Sequence, residues 1–311
     1  MDLRTIALER GAAAIASIRA HVVAVPVPAR DRSDRRQAAT PGVILVMLDH
    51  PTAAEGLLNA AGYLADLIGG AHINVLVALV PPASTILSGE EVLTRDKETR
   101  LRAQEQTRVA ALKATFDSWN TVVSRPQGAA DWLVFEAVAR DLMVEWGRRV
   151  DFIVLERPTH RDYGTTWQAF PAALFETDRP VLVVPPDHAT SFGRRVAIAW
   201  RDDPHATRAV LSALRCTTRT EAVHLLAGVR PGAAEPRIPE IVVEHGVTAD
   251  LLIIPIADEP FGRALLHGTH AVGADMLVMG AYAHSPLREL VLGGVTRHVI
   301  AHADLPVLMR H

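Results

Sequence analysis

The chain has 311 residues, a formal net charge of −3, 49% hydrophobic and 22% charged residues, and one cysteine, Cys216. That length accommodates two ordinary domains, each able to bury a core, and the near-neutral balance gives no electrostatic footprint for nucleic acid. A single cysteine excludes an internal disulfide framework and suits a reducing, cytoplasmic setting, and no apolar run reaches the length of a membrane span.

Residues 1–40 stand apart. The alanine-rich stretch 6–18 reads as a short helix, but Arg19 and His21 interrupt the apolar segment and no small-residue cleavage site follows, which argues against a secretory leader. Pro26-Val27-Pro28 and the run from Arg30 to Arg36 come next. Aspartates are interleaved with the arginines, as in a flexible, solvated arm.

The first packed stretch, 41–187, opens with a buried strand over 43–48 that ends at Asp49. Thr52 reads as the cap of a helix carrying Leu57, Leu58, Tyr63 and Leu67, stopped by Gly69 and Gly70. A strand over 72–80 is closed by Pro81 and Pro82. A long charged helix over about 90–119 places Val109, Leu112 and Phe116 at helical spacing. Strands over 132–135, 152–155 and 180–184 follow. A helix over 138–148 separates the first two, a short helix precedes the last, and Pro185 and Pro186 close the stretch.

After a linker over 187–195 the order repeats in fewer residues, over 195–311. Strands at 196–200, 223–226, 251–254 and 276–280 alternate with helices at 205–214 and 261–272 and a short connector at 231–244. A helix over 295–300 and a last strand over 305–309 end the chain. Two anchors make the repeat visible: 149–155 parallels 273–279, each with an aspartate before four apolar residues, and 179–184 parallels 305–309. Strands alternating with helices imply right-handed crossovers and parallel sheets covered on both faces. The expected fold is therefore α/β: two tandem five-stranded parallel units.

The stretch after the strand 276–280 carries the clearest chemistry. Gly280 ends an apolar strand, a mixed loop follows, and Gly293 and Gly294 open a helix through Val295 and Thr296. Strand, glycine, loop, glycines and helix N-terminus form a layout in which backbone N–H groups and a helix dipole face an anion. This stretch resembles the nucleotide loop of the universal stress protein family, which runs glycine, two residues, glycine, nine residues, glycine, then Ser or Thr. Gly280 and Gly293 match; Ala283 stands in the second glycine slot and Gly294 where Ser or Thr is usual. The ending from His302 to Met309 also resembles that family. The resemblance covers about 43–311 and implies a Rossmann-like fold whose two halves pack as a pseudo-dimer, with pairing to a second copy as a further expectation. It also implies an adenine nucleotide such as ATP as ligand and a stress-response regulatory role.

In that family an acidic residue ending the first strand meets the base or ribose, while the glycine loop holds the phosphates. Here the two pieces are separated. The first half keeps Asp49 but replaces the glycine turn with Glu156-Arg157-Pro158-Thr159-His160, where a carboxylate repels phosphate and a proline removes a donor. The second half keeps the loop, but Arg201 occupies the acidic slot, unless a shifted turn lets Asp202 serve. The expected binding residues are Gly280, Ala283, His284, Arg288, Gly293, Gly294, Val295, Thr296, Arg201 and Asp202, with His284 and Arg288 supplying positive charge.

No catalytic residue and no metal site is expected. His298 and His302, four apart, and His267 and His270, three apart, have ligand spacing without a Glu or Cys to complete a set. There is no G-x-S-x-G elbow and no P-loop. The leading expectation is a binding and regulatory module. The alternatives are an interaction scaffold that has lost nucleotide binding and acts through its sheet edges and arginine-rich arm, and a hydrolase on the same scaffold.

Overall fold

The computed structural model describes residues 19–21, 42–82, 94–122, 129–158, 165–186, 191–216, 220–234, 236–256, 260–281 and 294–311. The chain divides into two compact units: Pro41–Ser191, and Phe192–His311 together with Met1–Thr40. The expected helix over 6–18 and most of the arm lie outside the described residues.

In the N-terminal segment Arg19–His21 forms a short strand, β1. The first unit then runs β2 (Gly42–Met47), α1 (Pro51–Leu67), β3 (Ala71–Leu79), α2 (Arg95–Val122), β4 (Ala130–Glu136), α3 (Ala139–Gly147), β5 (Phe152–Glu156), α4 (Thr165–Glu176) and β6 (Val181–Val184). Its strands are parallel, in the order β6-β5-β2-β3-β4. The central strands read as unbroken apolar runs because both faces are covered; Ile44, Leu45, Val46, Phe152, Ile153 and Val154 are fully buried. The first helix corrects the Thr52 expectation. It begins at Pro51 with His50 as N-cap and no capping side chain, because proline at the first position presets the helical φ and lacks the N–H a cap would satisfy. The long helix α2 is laced by exposed pairs such as Glu98–Arg102 and Lys113–Asp117. It docks through Leu112, Phe116 and Trp119. Phe116 meets the Trp132 ring of β4 at 5.3 Å, and Trp119 Nε1 donates to Asn59 Oδ1 of α1 at 3.1 Å.

The second unit runs β7 (Arg195–Trp200), α5 (Pro204–Leu214), β8 (Ala222–Val229), α6 (Glu240–Glu244), β9 (Ala249–Pro255), α7 (Phe261–Ala271), β10 (Met276–Gly280), α8 (Gly294–His302) and β11 (Val307–Arg310). Its parallel strands follow the same order, β9-β8-β7-β10-β11. The short α6 stands where the first unit has α2. β1 lies antiparallel on β9, pairing Arg19 with Ile253 and His21 with Leu251.

The repeated aspartates have one job in both halves. Asp151 Oδ2 accepts from Val43 N at 2.9 Å, and Asp275 accepts from Gly193 N at 2.8 Å and Arg195 N at 3.1 Å. Each holds the entry of its unit's first strand against the start of its fourth.

Candidate functional site

In an open parallel sheet the ligand crevice lies beyond the strands' carboxyl ends, where strand order reverses. In the second unit that point is between β7 and β10, which pair from Met276–Val196 to Met279–Ala199. Gly280 closes β10 opposite Arg310, and the Ala281 amide donates to the Arg310 carbonyl at 2.8 Å. Ala283, His284, Arg288 and Gly293 lie outside the described residues. On the far side of that segment α8 starts at Gly294, which is exposed; Val295 is half-buried and Thr296 is buried. A Cβ added at Gly294 meets nothing within 4 Å. Among the described residues, α8 thus begins at an exposed glycine, while Thr296 is buried.

Gly280 answers to a neighbour that sequence reasoning did not foresee. A Cβ there would come 2.9 Å from Ala206 N and from the His205 carbonyl carbon. The first turn of α5 crosses the end of β10, and only glycine leaves room for it. Asp203 fixes that turn as N-cap, accepting from Ala206 N at 2.9 Å. Burial pushes the Asp203 carboxyl up, but the Ala206 amide and the Arg201 guanidinium outweigh it and leave it below its ordinary value. Arg201 is thus tied to Asp203, and Asp202 is exposed.

Two histidines that the sequence reading passed over join the rim. His205 and His311 have ring centroids 4.9 Å apart, and His311 Nδ1 lies 3.1 Å from the Ala281 carbonyl. Arg208 Nη1 donates to the His311 carbonyl at 3.3 Å. Burial first, then His311 and the two arginines, hold the His205 imidazole below its ordinary value, against the pull of Asp203. The only local signal for His205 was its place after Pro204 at a helix start. His311 had none, because it follows β11 and reaches this rim only through that strand's pairing with β10.

In the first unit the equivalent crevice lies between β2 and β5, and its own side chains fill the anion position. Asp49 follows β2 and is buried. Its carboxylate accepts from Thr165 Oγ1 at 2.7 Å and from Thr166 N at 3.1 Å, so it caps the opening turn of α4. Arg108 of α2 closes on it: Nη1 donates to the Asp49 carbonyl at 2.8 Å and approaches Oδ1 at 3.3 Å. Its Nη2 reaches the Ala78 carbonyl and Glu105. The acidic residue that the resemblance assigns to a base or ribose is instead an internal ligand of a helix N-terminus.

Among the described residues no three His, Cys, Asp or Glu side chains gather where they could hold a metal, and no helix is long and apolar enough to cross a membrane. Cys216 is fully buried, and burial pushes its thiol up to about 12. A groove of about 530 Å³ beside α3 is lined by Arg140, Arg148, Arg149, Glu145 and Glu176. The Arg140–Glu176 and Arg149–Glu145 pairs leave it with no dominant sign.

Fold and site together define a tandem α/β protein of the doubly wound kind, with the first unit's switch point filled from within. Residues 256–311, from the end of β9 through α7, β10, α8 and β11, match the Universal stress protein family. Over most of the chain's length the fold is similar to that of a universal stress protein from Archaeoglobus fulgidus DSM 4304, at TM-score 0.64 and 15% identity, covering 87% of this chain and 96% of that one. A functionally unknown protein from Pseudomonas aeruginosa PAO1 is similar at TM-score 0.52 and 14% identity, covering 87% and 92%. Identities this low speak for the fold alone. No curated protein matches the chain in sequence.

Proposed function

We propose that the second unit binds an adenine nucleotide at the rim between β7 and β10, as a regulatory module, and that the first unit is its structural partner. The observation that carries this reading is the contrast between two equivalent helix starts. At α4 the Thr166 amide is already committed to Asp49. At α8 Gly294 is exposed, and among the described residues no atom comes within 4 Å of an added Cβ. A phosphate there would take the amides of Gly294, Val295 and Thr296 and be favoured by the helix dipole. Gly293, Ala283, His284 and Arg288, outside the described residues, are the further positions that the resemblance assigns to the phosphates. Arg201 is paired with Asp203, and His205 and His311 would present polar edges for a base or ribose; the exposed Asp202 is the remaining acidic candidate. Titration calorimetry with ATP and AMP tests the proposal: binding of one nucleotide per chain is expected, and no heat at millimolar ligand rejects it.

A second reading, an interaction scaffold, is favoured by one observation: the N-terminal strand laid on the β9 edge. It expects partner capture or self-association to change when residues 1–40 are deleted, and indifference to that deletion counts against it.

A further inference from the structure

The helix that mounts the glycine loop carries an imidazole cluster with no part in the reading above. His298 and His302, one turn apart on α8, stack with ring centroids 4.2 Å apart and planes 21° from parallel. His302 Nδ1 lies 2.9 Å from the His298 carbonyl, which holds ring over ring. On the α7 side the His298 side chain rests on Gly262. An added Cβ there would come 2.7 Å from His298 Cβ and 3.1 Å from its Cγ, so the glycine is the notch that admits this residue.

Among the described residues, the charged and titratable groups that act on His298 share one sign. Arg263 and His267 come from α7 and His302 from α8 itself. Arg297, its chain neighbour, is exposed. Asp304, just past α8, is held by His270 of α7 at 3.1 Å. Burial first, then His302, Arg263 and His267, keep the His298 imidazole below its ordinary value. A neutral His298 packs against the notch; a protonated one sets its charge near the Arg263 guanidinium.

We propose that the α7–α8 contact is an acid-sensitive latch: protonation of His298, stacked on His302 and seated on Gly262, drives α8 off that glycine and releases the helix whose first residues are Gly294, Val295 and Thr296. The direction follows from linkage. A released His298 takes up a proton near its ordinary value of 6.5, whereas in the contact it resists until lower pH. The contact is at full strength above that value and weakens as pH falls through it towards the lowered one. The latch is independent of whether a nucleotide binds.

Amide hydrogen exchange of the full chain without ligand, corrected for intrinsic rates, tests it. Between about pH 7.5 and about pH 5.5 the α8 amides are expected to lose protection severalfold while those of β10 do not. His298→Phe keeps a ring without a proton, and His302→Gln removes the stacking partner; either substitution is expected to abolish the pH dependence. Equal exchange of α8 at both pH values, or a pH dependence unchanged in His302→Gln, overturns the proposal even if His298→Phe fails to fold. So does an NMR titration that places His298 at or above 6.5.

Discussion

Replacing Asp49 by alanine removes the carboxylate that fills the first unit's switch point. Thr165 Oγ1 and Thr166 N, now held at 2.7 and 3.1 Å, lose their acceptor in a buried setting. Each buried donor left unsatisfied costs about 1–3 kcal/mol. Arg108 is not orphaned, since the Asp49 carbonyl, the Ala78 carbonyl and Glu105 still receive it. That places the loss at or below the lower end of the roughly 3–5 kcal/mol seen when a buried pair is broken. We therefore expect the first unit to lose about 3 kcal/mol, which at a slope of about 2 kcal/mol/M lowers its urea midpoint by roughly 1.5 M. Tryptophan fluorescence reads this unit well: Trp119, Trp132, Trp146 and Trp167 lie in Pro41–Ser191, and of the five tryptophans only Trp200 lies elsewhere. A loss under about 1 kcal/mol would mean that the carboxylate does not hold α4, and the contrast between the two units would go with it.

Three further outcomes follow from the geometry. Gly280→Ala drives a Cβ to 2.9 Å from the backbone of α5 and should cost the second unit about 1–3 kcal/mol in thermal or urea unfolding, with or without nucleotide. Gly294→Ser restores the hydroxyl usual in the family at a position where a Cβ meets nothing within 4 Å; calorimetry should show nucleotide affinity raised by roughly 3- to 10-fold, the worth of about one net hydrogen bond. Asp203→Ala should cost about 1 kcal/mol of cap energy. Because the Asp203 carboxyl is lowered from 3.8, that contribution is present above this value and lost as pH falls through the lowered one, so wild type and variant should converge in stability at strongly acid pH.

Much of the fold was legible because its signals are local. Apolar runs bounded by Gly and Pro gave each of the ten parallel strands to within a few residues. The repeated aspartates Asp151 and Asp275 marked the fourth strands and turned out to brace the first ones. The start of α1 was misplaced by one signal overriding another: Thr52 is a good cap, but Pro51 before it already sets the first turn. β1 was not foreseen, since three residues in a charged, mixed segment carry no periodicity and become a strand only by lying on β9.

The site divides along the same line. The amino-acid order by itself determined that a glycine-bounded helix start follows the second unit's fourth strand, and that Asp49 ends the first unit's first strand, because strand ends and glycines are read within a few residues. Only the tertiary structure decided what those groups touch. Asp49 turns to Thr165, 116 residues away, and Gly280 yields its space to His205 and Ala206. Such choices are set by which strands lie side by side and which helix crosses their ends. Those are long-range pairings, and local periodicity does not encode them.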